Sequence, residues 1–318
     1  MKLVHLIAFA ILVLLASSSL MLGVAHFSLA DILAGDPHAI NILTTSRLPR
    51  LLAIMLAGAG LSVAGLVMQQ IVQNRFAAPS TTGTIDWAMF GYMIALLLFA
   101  DMSSWVHLLI IFGFSVIGTL LFIRFLQRLK FKNTVMVPLI GIMYGNVVSS
   151  MTTFIAYKYN LVQSLSSWTV ANFASVLSGN YEFLYIALPT SLLAYYYANR
   201  FSAASIGESF AKNIGLNYQR IVMIGIILVA VLSSSVVMIV GMIPFLGLIV
   251  PNIVSLFIGD NMRRNLPWTA YTGVILVLAC DILGRLIIFP YEIPISIIIS
   301  ILGGTIFIYL ILRDKSNA

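Results

Sequence analysis

Gly241-Met-Ile-Pro244-Phe-Leu-Gly247-Leu-Ile-Val-Pro251-Asn252-Ile-Val-Ser255-Leu-Phe-Ile-Gly259 is the stretch that decides how this chain folds. It is apolar enough to lie in a bilayer, yet Pro244, Gly247 and Pro251 stand where a plain spanning helix would carry Leu or Ala. Proline has no backbone N–H and its ring clashes with the preceding turn. In hydrocarbon the backbone groups so released must find partners in neighbouring protein. The stretch therefore predicts a segment packed inside a bundle, in a polytopic membrane protein with a shaped interior.

Composition supports this outward from the stretch. Of the 318 residues 61% are hydrophobic and 8% charged, where a soluble domain carries roughly 25% charged residues. No soluble fold could hide so much apolar surface. The formal charge of +7 does not mark a nucleic-acid binder, because the cations form no stripe; they sit in short gaps between apolar runs. The single Cys280 lies inside such a run, so neither a disulfide nor a thiolate metal site is expected.

With about 20 residues needed per span, the apolar runs fall near 3–25, 48–71, 83–100, 105–125, 134–157, 180–199, 221–243, 244–258, 267–289 and 294–312. Gly241 and Pro244 separate the seventh run from the eighth. The first run is longer than the apolar core of a signal peptide and is read as an uncleaved helix. Ten spans with Lys2 inside put both termini in the cytoplasm. The inner side then holds Lys2, Arg75, Arg124, Arg128, Lys130, Lys132, Arg200, Lys212, Arg220, Arg263, Arg264, Arg313 and Lys315, and the outer side only Arg47, Arg50, Lys158 and Arg285. That bias fixes the orientation and leaves the outer arginines needing a reason. The expected fold is all-α, with residues 1–318 one transmembrane domain and 200–220 a cytoplasmic segment.

Three polar stretches are long enough to work: outer 26–46, outer 158–179 and inner 200–220. From Ser205 the inner one reads as a short helix, with Ile206, Phe210, Ala211 and Ile214 at helical spacing. Glu208 suits its start and Gly215 its end. Spacing alone leaves two readings open, a helix lying on headgroups or one that seats in a cytoplasmic partner. Arg47-Leu-Pro49-Arg50 enters the second span with proline in the first turn. The two arginines either snorkel to lipid phosphate or receive carboxylates of a soluble partner, with Arg285 a third such contact. Gln69, Gln70, Gln73, Asn74 and Asp86 crowd the inner junction after that span, as a pathway, a hinge or an ordinary wet loop. Asp86 and Asp281 fall in apolar runs, where a charge costs roughly 2.5–3.5 kcal/mol on insertion scales; ion coupling through them would make a secondary transporter. Nothing supports an enzyme: there is no P-loop, Gly-x-Ser-x-Gly or His-Glu-x-x-His, and His5, His26, His38 and His107 are scattered.

Taken together these anchors resemble, over nearly the full length, the FecCD-type permease subunits of type II binding-protein-dependent ABC importers for iron-siderophores, haem and vitamin B12. The matching positions are Arg47-Leu-Pro-Arg50, Gly58, Gly65, Gln69, Asn74, Ala77, Pro79 and Gly83, then Gly207, Glu208, Ala211 and Gly215. Gly241, Phe245 and Gly247-Leu-Ile-Val-Pro251 follow, and finally Asp281, Arg285, Glu292, Pro294 and Gly303. Where the family usually has His-x-x-Arg after the second proline of the signature, this chain has Asn252 and Ser255. Asp86-Trp87-Ala88 replaces a small-residue run, and Thr305 stands where proline is common. These departures resemble the branch for catecholate or mixed siderophores, such as anguibactin or petrobactin, more than the B12 branch.

The resemblance implies a permease subunit in the bacterial cell membrane, paired with a second permease, two ATP-binding subunits and an extracellular or periplasmic siderophore-binding protein. It implies that ATP and magnesium belong to the partner ATPase and that this chain binds no cofactor or metal. It assigns ATPase coupling to the 205–215 helix with Gly207, Glu208, Ala211 and Gly215, and binding-protein docking to Arg47, Arg50 and Arg285. Gly241, Pro244, Gly247 and Pro251 would serve the gates. Gln69, Asn74 and Asp86 are pathway candidates, on a route lined by the second, fifth, eighth and tenth spans.

Overall fold

A computed structural model of the chain describes residues 2–23, 31, 34–128 and 136–316. His26, Lys130 and Lys132, the end of the first predicted run at 24–25 and the start of the fifth at 134–135 lie outside the described residues.

All regular structure among the described residues is helical. The helices are α1 (Lys2–Met21), α2 (Pro37–Ile42), α3 (Leu48–Val72), α4 (Thr84–Leu98), α5 (Ser104–Arg128), α6 (Met136–Lys158) and α7 (Val162–Thr169), followed by α8 (Ala187–Ser205), α9 (Glu208–Asn213), α10 (Tyr218–Ile239), α11 (Leu246–Ile258), α12 (Met262–Leu286) and α13 (Ile295–Ser316). Every one of the ten predicted runs carries a helix. Pro37–Val72, α5, α6, α10 and α12 are long and apolar enough to cross a membrane by length and composition. The apolar parts of α1, α4, α11 and α13 are shorter, and α8 is diluted by Tyr195, Tyr196, Tyr197 and Arg200. Leu6, Phe9, Leu109, Phe154 and Leu192 point outward from the bundle, as side chains solvated by lipid do.

The centre is α3, buried on all sides and surrounded by α8, α10, α11 and α12. A helix apolar all round belongs in a core. Lipid tails give helices no hydrophobic reason to associate, so close packing must hold them together, and small residues permit it. Gly58 faces Gly273 of α12: a Cβ there would stand 2.8 Å from the Gly273 carbonyl oxygen. Gly65 faces Gly247 of α11 more closely still, and its Cβ would overlap the Gly247 carbonyl. Pro251 lies four residues after Gly247 within α11, so that carbonyl has lost its usual helical donor. The proline thus frees a carbonyl, and glycine on both helices lets the two backbones meet.

The expected break between the seventh and eighth runs is present. It spans 240–245, with Gly241 at φ +96° and Phe245 also left-handed at φ +60°. Outer segment 158–179 covers it. The Trp168 carbonyl accepts the Met242 N–H at 3.2 Å, and the Asn172 N–H donates to the Val240 carbonyl at 3.1 Å. A Cβ at Gly241 would lie 2.7 Å from the Trp168 carbonyl oxygen.

Two elements differ from the sequence expectation. The polar stretch before the second span is helical from Pro37, where Asp36 accepts the His38 N–H at 3.1 Å as an N-cap. A π-turn at Leu43–Arg47 joins it to α3. Such turns insert a residue and re-aim the side chains after it. The inner short helix is Glu208–Asn213 rather than 205–215: α8 runs to Ser205, and Gly207, at φ +133°, separates the two helices.

Candidate functional site

At the outer end, four charges from three segments converge. Asp281 of α12 takes Arg50 of α3 at 2.7 Å through one carboxylate oxygen and Arg285, one turn along its own helix, through the other. Glu292 adds a second carboxylate to Arg50 at 2.9 Å. Arg285 also donates to the Ser19 carbonyl at 2.9 Å and the Leu22 carbonyl at 3.1 Å, and to the Ser19 hydroxyl. Arg47, on the π-turn, donates to the Leu20 carbonyl at 2.6 Å. These contacts bind the unwinding end of α1 to α3 and α12, because a helix terminus offers carbonyls that lack internal donors. Asp281 side-chain exposure is 3%, Arg285 6%, Arg50 13% and Glu292 26%. Arg47, Arg50 and Arg285 therefore do come together, but turned inward; the Arg50–Glu292 edge is the part open to the outside.

At the inner end, Gln69 and Asn74 line a cavity of about 370 Å³ with Gln73, Pro251, Ser255 and Asp260. Asn74 accepts the Phe76 N–H at 2.8 Å, closing the turn after α3. Asn252 crosses from α11 to hold the Arg75 carbonyl at 2.8 Å while also donating to Leu248 at 2.7 Å. So the residue that departs from the family pattern fastens the loop roofing this cavity. The loop itself is no wet connection. Ala77, Ala78, Thr81 and Thr82 are buried, and the Thr81 hydroxyl receives the Ala78 N–H at 2.9 Å. The Thr84 hydroxyl continues the chain of bonds to Thr119 of α5 at 2.8 Å. Asp86 is elsewhere, on the first turn of α4 against Gly145 of α6; it does not join Gln69 and Asn74.

Beside the cavity stands α9. Ala211 is fully buried beneath it, whereas Phe210 on the helix and Ile206 and Ile214 on either side of it are exposed. Glu208 and Lys212 pair at 2.8 Å on its open face. Gly207 and Gly215 both have left-handed backbones with open space around the α carbon, so their backbone turn, not crowding, calls for glycine. The sequence placed Gln73 at the polar inner junction but did not show what it holds. It ends α3 in the left-handed conformation at φ +56° and donates to the Ala204 carbonyl at 3.3 Å and the Tyr218 hydroxyl at 3.4 Å. It thus grips the helix entering α9 and the helix leaving it. A glutamine at the end of a buried apolar helix was the available signal.

A helical bundle of this kind, with a charge cluster at one end and a short, half-exposed polar helix at the other, is a polytopic membrane protein. The chain belongs to the FecCD transport family, whose model matches residues 10–313. It is 48% identical over 318 residues to a petrobactin import system permease protein of Bacillus subtilis (strain 168), covering 100% of both chains. Identity is 36% to a ferric-anguibactin transport system permease protein of Vibrio anguillarum, over 94% of this chain and 95% of the relative. The solved structure of an inward-facing metal-chelate type ABC transporter superposes with a TM-score of 0.76 at 26% identity, over 96% of this chain and 99% of that one. The fold is that of ABC importer permeases, and the chain is a multi-pass cell-membrane subunit rather than an enzyme.

Proposed function

We propose that this chain is the permease through which a ferric siderophore of the catecholate or mixed class crosses the cell membrane, driven by ATP hydrolysis in separate subunits. The observation that carries this reading is the end-to-end 48% identity to a petrobactin permease. In the assembly proposed, two permeases, identical or paralogous, stand over two ATP-binding subunits, and a siderophore-binding protein docks outside. The Arg50–Glu292 edge meets that protein, with Arg47 and Arg285 holding the edge from beneath.

Phe210 on α9, with Ile206 and Ile214 flanking it, is the seat for the ATPase, and Ala211 is the pivot against the bundle. Movement of α9 reaches the inner cavity through Gln73, which holds both flanking helices and ends α3. Gly241 and Pro244 supply the outer bend, and the Gly65–Gly247 contact with Pro251 lets α11 slide against α3 at the gate. Haem or vitamin B12 is the alternative cargo within the family. An ion-coupled carrier using Asp86 and Asp281 is opposed by the two arginines that already neutralise Asp281.

Growth decides the cargo. A deletion strain under iron limitation, fed one siderophore at a time, is expected to lose growth on a petrobactin-type ligand and keep it on unrelated ones. Undiminished growth on every siderophore tested, with lost use of haem or B12, would overturn the assignment.

A further inference from the structure

On the inner half of the bundle a groove of about 850 Å³ lies between α11 and α12. Its walls are apolar: Ile253 and Phe257 from one helix, Pro267 and Trp268 from the other. His5 of α1 closes its side by stacking on Trp268, with ring centroids 5.3 Å apart. A smaller cavity of about 250 Å³ shares His5 and Trp268 and continues along α1 past Ala8 to Leu12. From residue 5 to 12 a helix climbs roughly 10 Å, so the space runs from the cytoplasmic rim into the hydrocarbon.

Arg263 and Arg264 stand at the mouth of this groove, both exposed. They occupy the first turn of α12, where the helix dipole disfavours cations. Among the described residues no carboxylate lies in ion-pair range of either; the nearby Asp260 is engaged by Arg75 at 2.6 Å. Arg263 instead lies over the Tyr195 ring, 5.8 Å from its centroid. Two guanidiniums with no carboxylate partner among the described residues, at the rim of an apolar slot, match an anionic diacyl lipid in both its parts. Guanidinium recognises phosphate by paired N–H donors, and basic pockets between helices on the cytoplasmic side bind acidic headgroups.

We propose that the α1/α11/α12 groove is a binding site for an anionic phospholipid of the cytoplasmic leaflet, its phosphate held by Arg263 and Arg264 and an acyl chain lying between Phe257 and Trp268. The site is distinct from the inner cavity of Gln69 and Asn74 and touches the gate helix α11 from its opposite side. An anionic lipid seated there would brace α11 against α12.

Native mass spectrometry of the full-length permease in its assembled complex tests this, using micelles with equal dioleoyl phosphatidylglycerol and dioleoyl phosphatidylcholine. The wild type is expected to retain phosphatidylglycerol preferentially. Arg263→Gln with Arg264→Gln should cut that preference by about thirty-fold, since each cation near an anionic surface contributes roughly fivefold. Arg263→Lys with Arg264→Lys should keep most of it, and Ile253→Trp should reduce retention of both lipids. Equal retention of the two lipids by wild type would overturn the proposal, as would an unchanged preference in the Gln pair. So would an equal loss on neutralising the inner arginines Arg124 and Arg220, or absence of any lipid because a partner subunit covers the groove.

Discussion

Replacing Asp281 by Asn keeps the shape of the outer cluster and removes one of its two negative charges. In the native arrangement Arg50 and Arg285 are balanced by Asp281 and Glu292. Arg285 has no other carboxylate in range among the described residues, and its side chain is 6% exposed. The variant therefore leaves a buried guanidinium with only carbonyl and hydroxyl partners. Stranding one member of a buried pair costs about 3–5 kcal/mol, whereas replacing both members by apolar groups is often neutral. Asp281→Asn should lower stability by about that amount, and Asp281→Leu with Arg285→Met should lie well above it. Glu292→Gln should cost about 1 kcal/mol or less, because Glu292 is 26% exposed and water screens the loss. Thermal unfolding of the four proteins in nanodiscs, followed by tryptophan fluorescence, gives the ranking. Two results would refute the reasoning: an Asp281→Asn variant no less stable than Glu292→Gln, or a double variant no more stable than Asp281→Asn.

Other perturbations read different contacts. Gly65→Ala should destabilise by about 1–3 kcal/mol or more, since the new Cβ overlaps backbone that cannot rotate away. Gly304→Ala, with nothing around its Cβ, should gain up to about 1 kcal/mol from helix propensity; both appear in the same melting assay. Thr84→Val should cost about 1 kcal/mol, because Thr82 and Thr119 keep their own carbonyl acceptors at 2.8 Å. Phe210→Ser should leave the permease folded, its side chain being 40% exposed, yet weaken co-purification of the ATP-binding subunit; unchanged recovery would remove α9 from that interface.

Much of the molecule was legible because membrane helices write their constraints along the chain. Length and apolarity located ten helical runs. Gly241 and Pro244 marked a real break, since neither residue's conformational limits depend on neighbours. Asp36-Pro37 is a local helix start, an N-cap acceptor followed by proline in the first turn. Other features had no local signature. Gln69 and Asn74 share a cavity while Asp86, close in sequence, faces Gly145 on another helix.

Sequence by itself thus determined the class, the ten helical runs and the short helix between α8 and α10. Those properties follow from transfer of single residues into lipid and from backbone preferences of glycine and proline. Tertiary structure alone decided what the outer arginines do. As a list they read as cations on a face where topology disfavours them; in three dimensions they close around Asp281, Glu292 and the carbonyls at the end of α1. It also gave Pro251 its meaning, by setting the carbonyl it frees against Gly65, a contact 182 positions away in the chain. Pairing between distant segments depends on how helices cross, and no single helix records that.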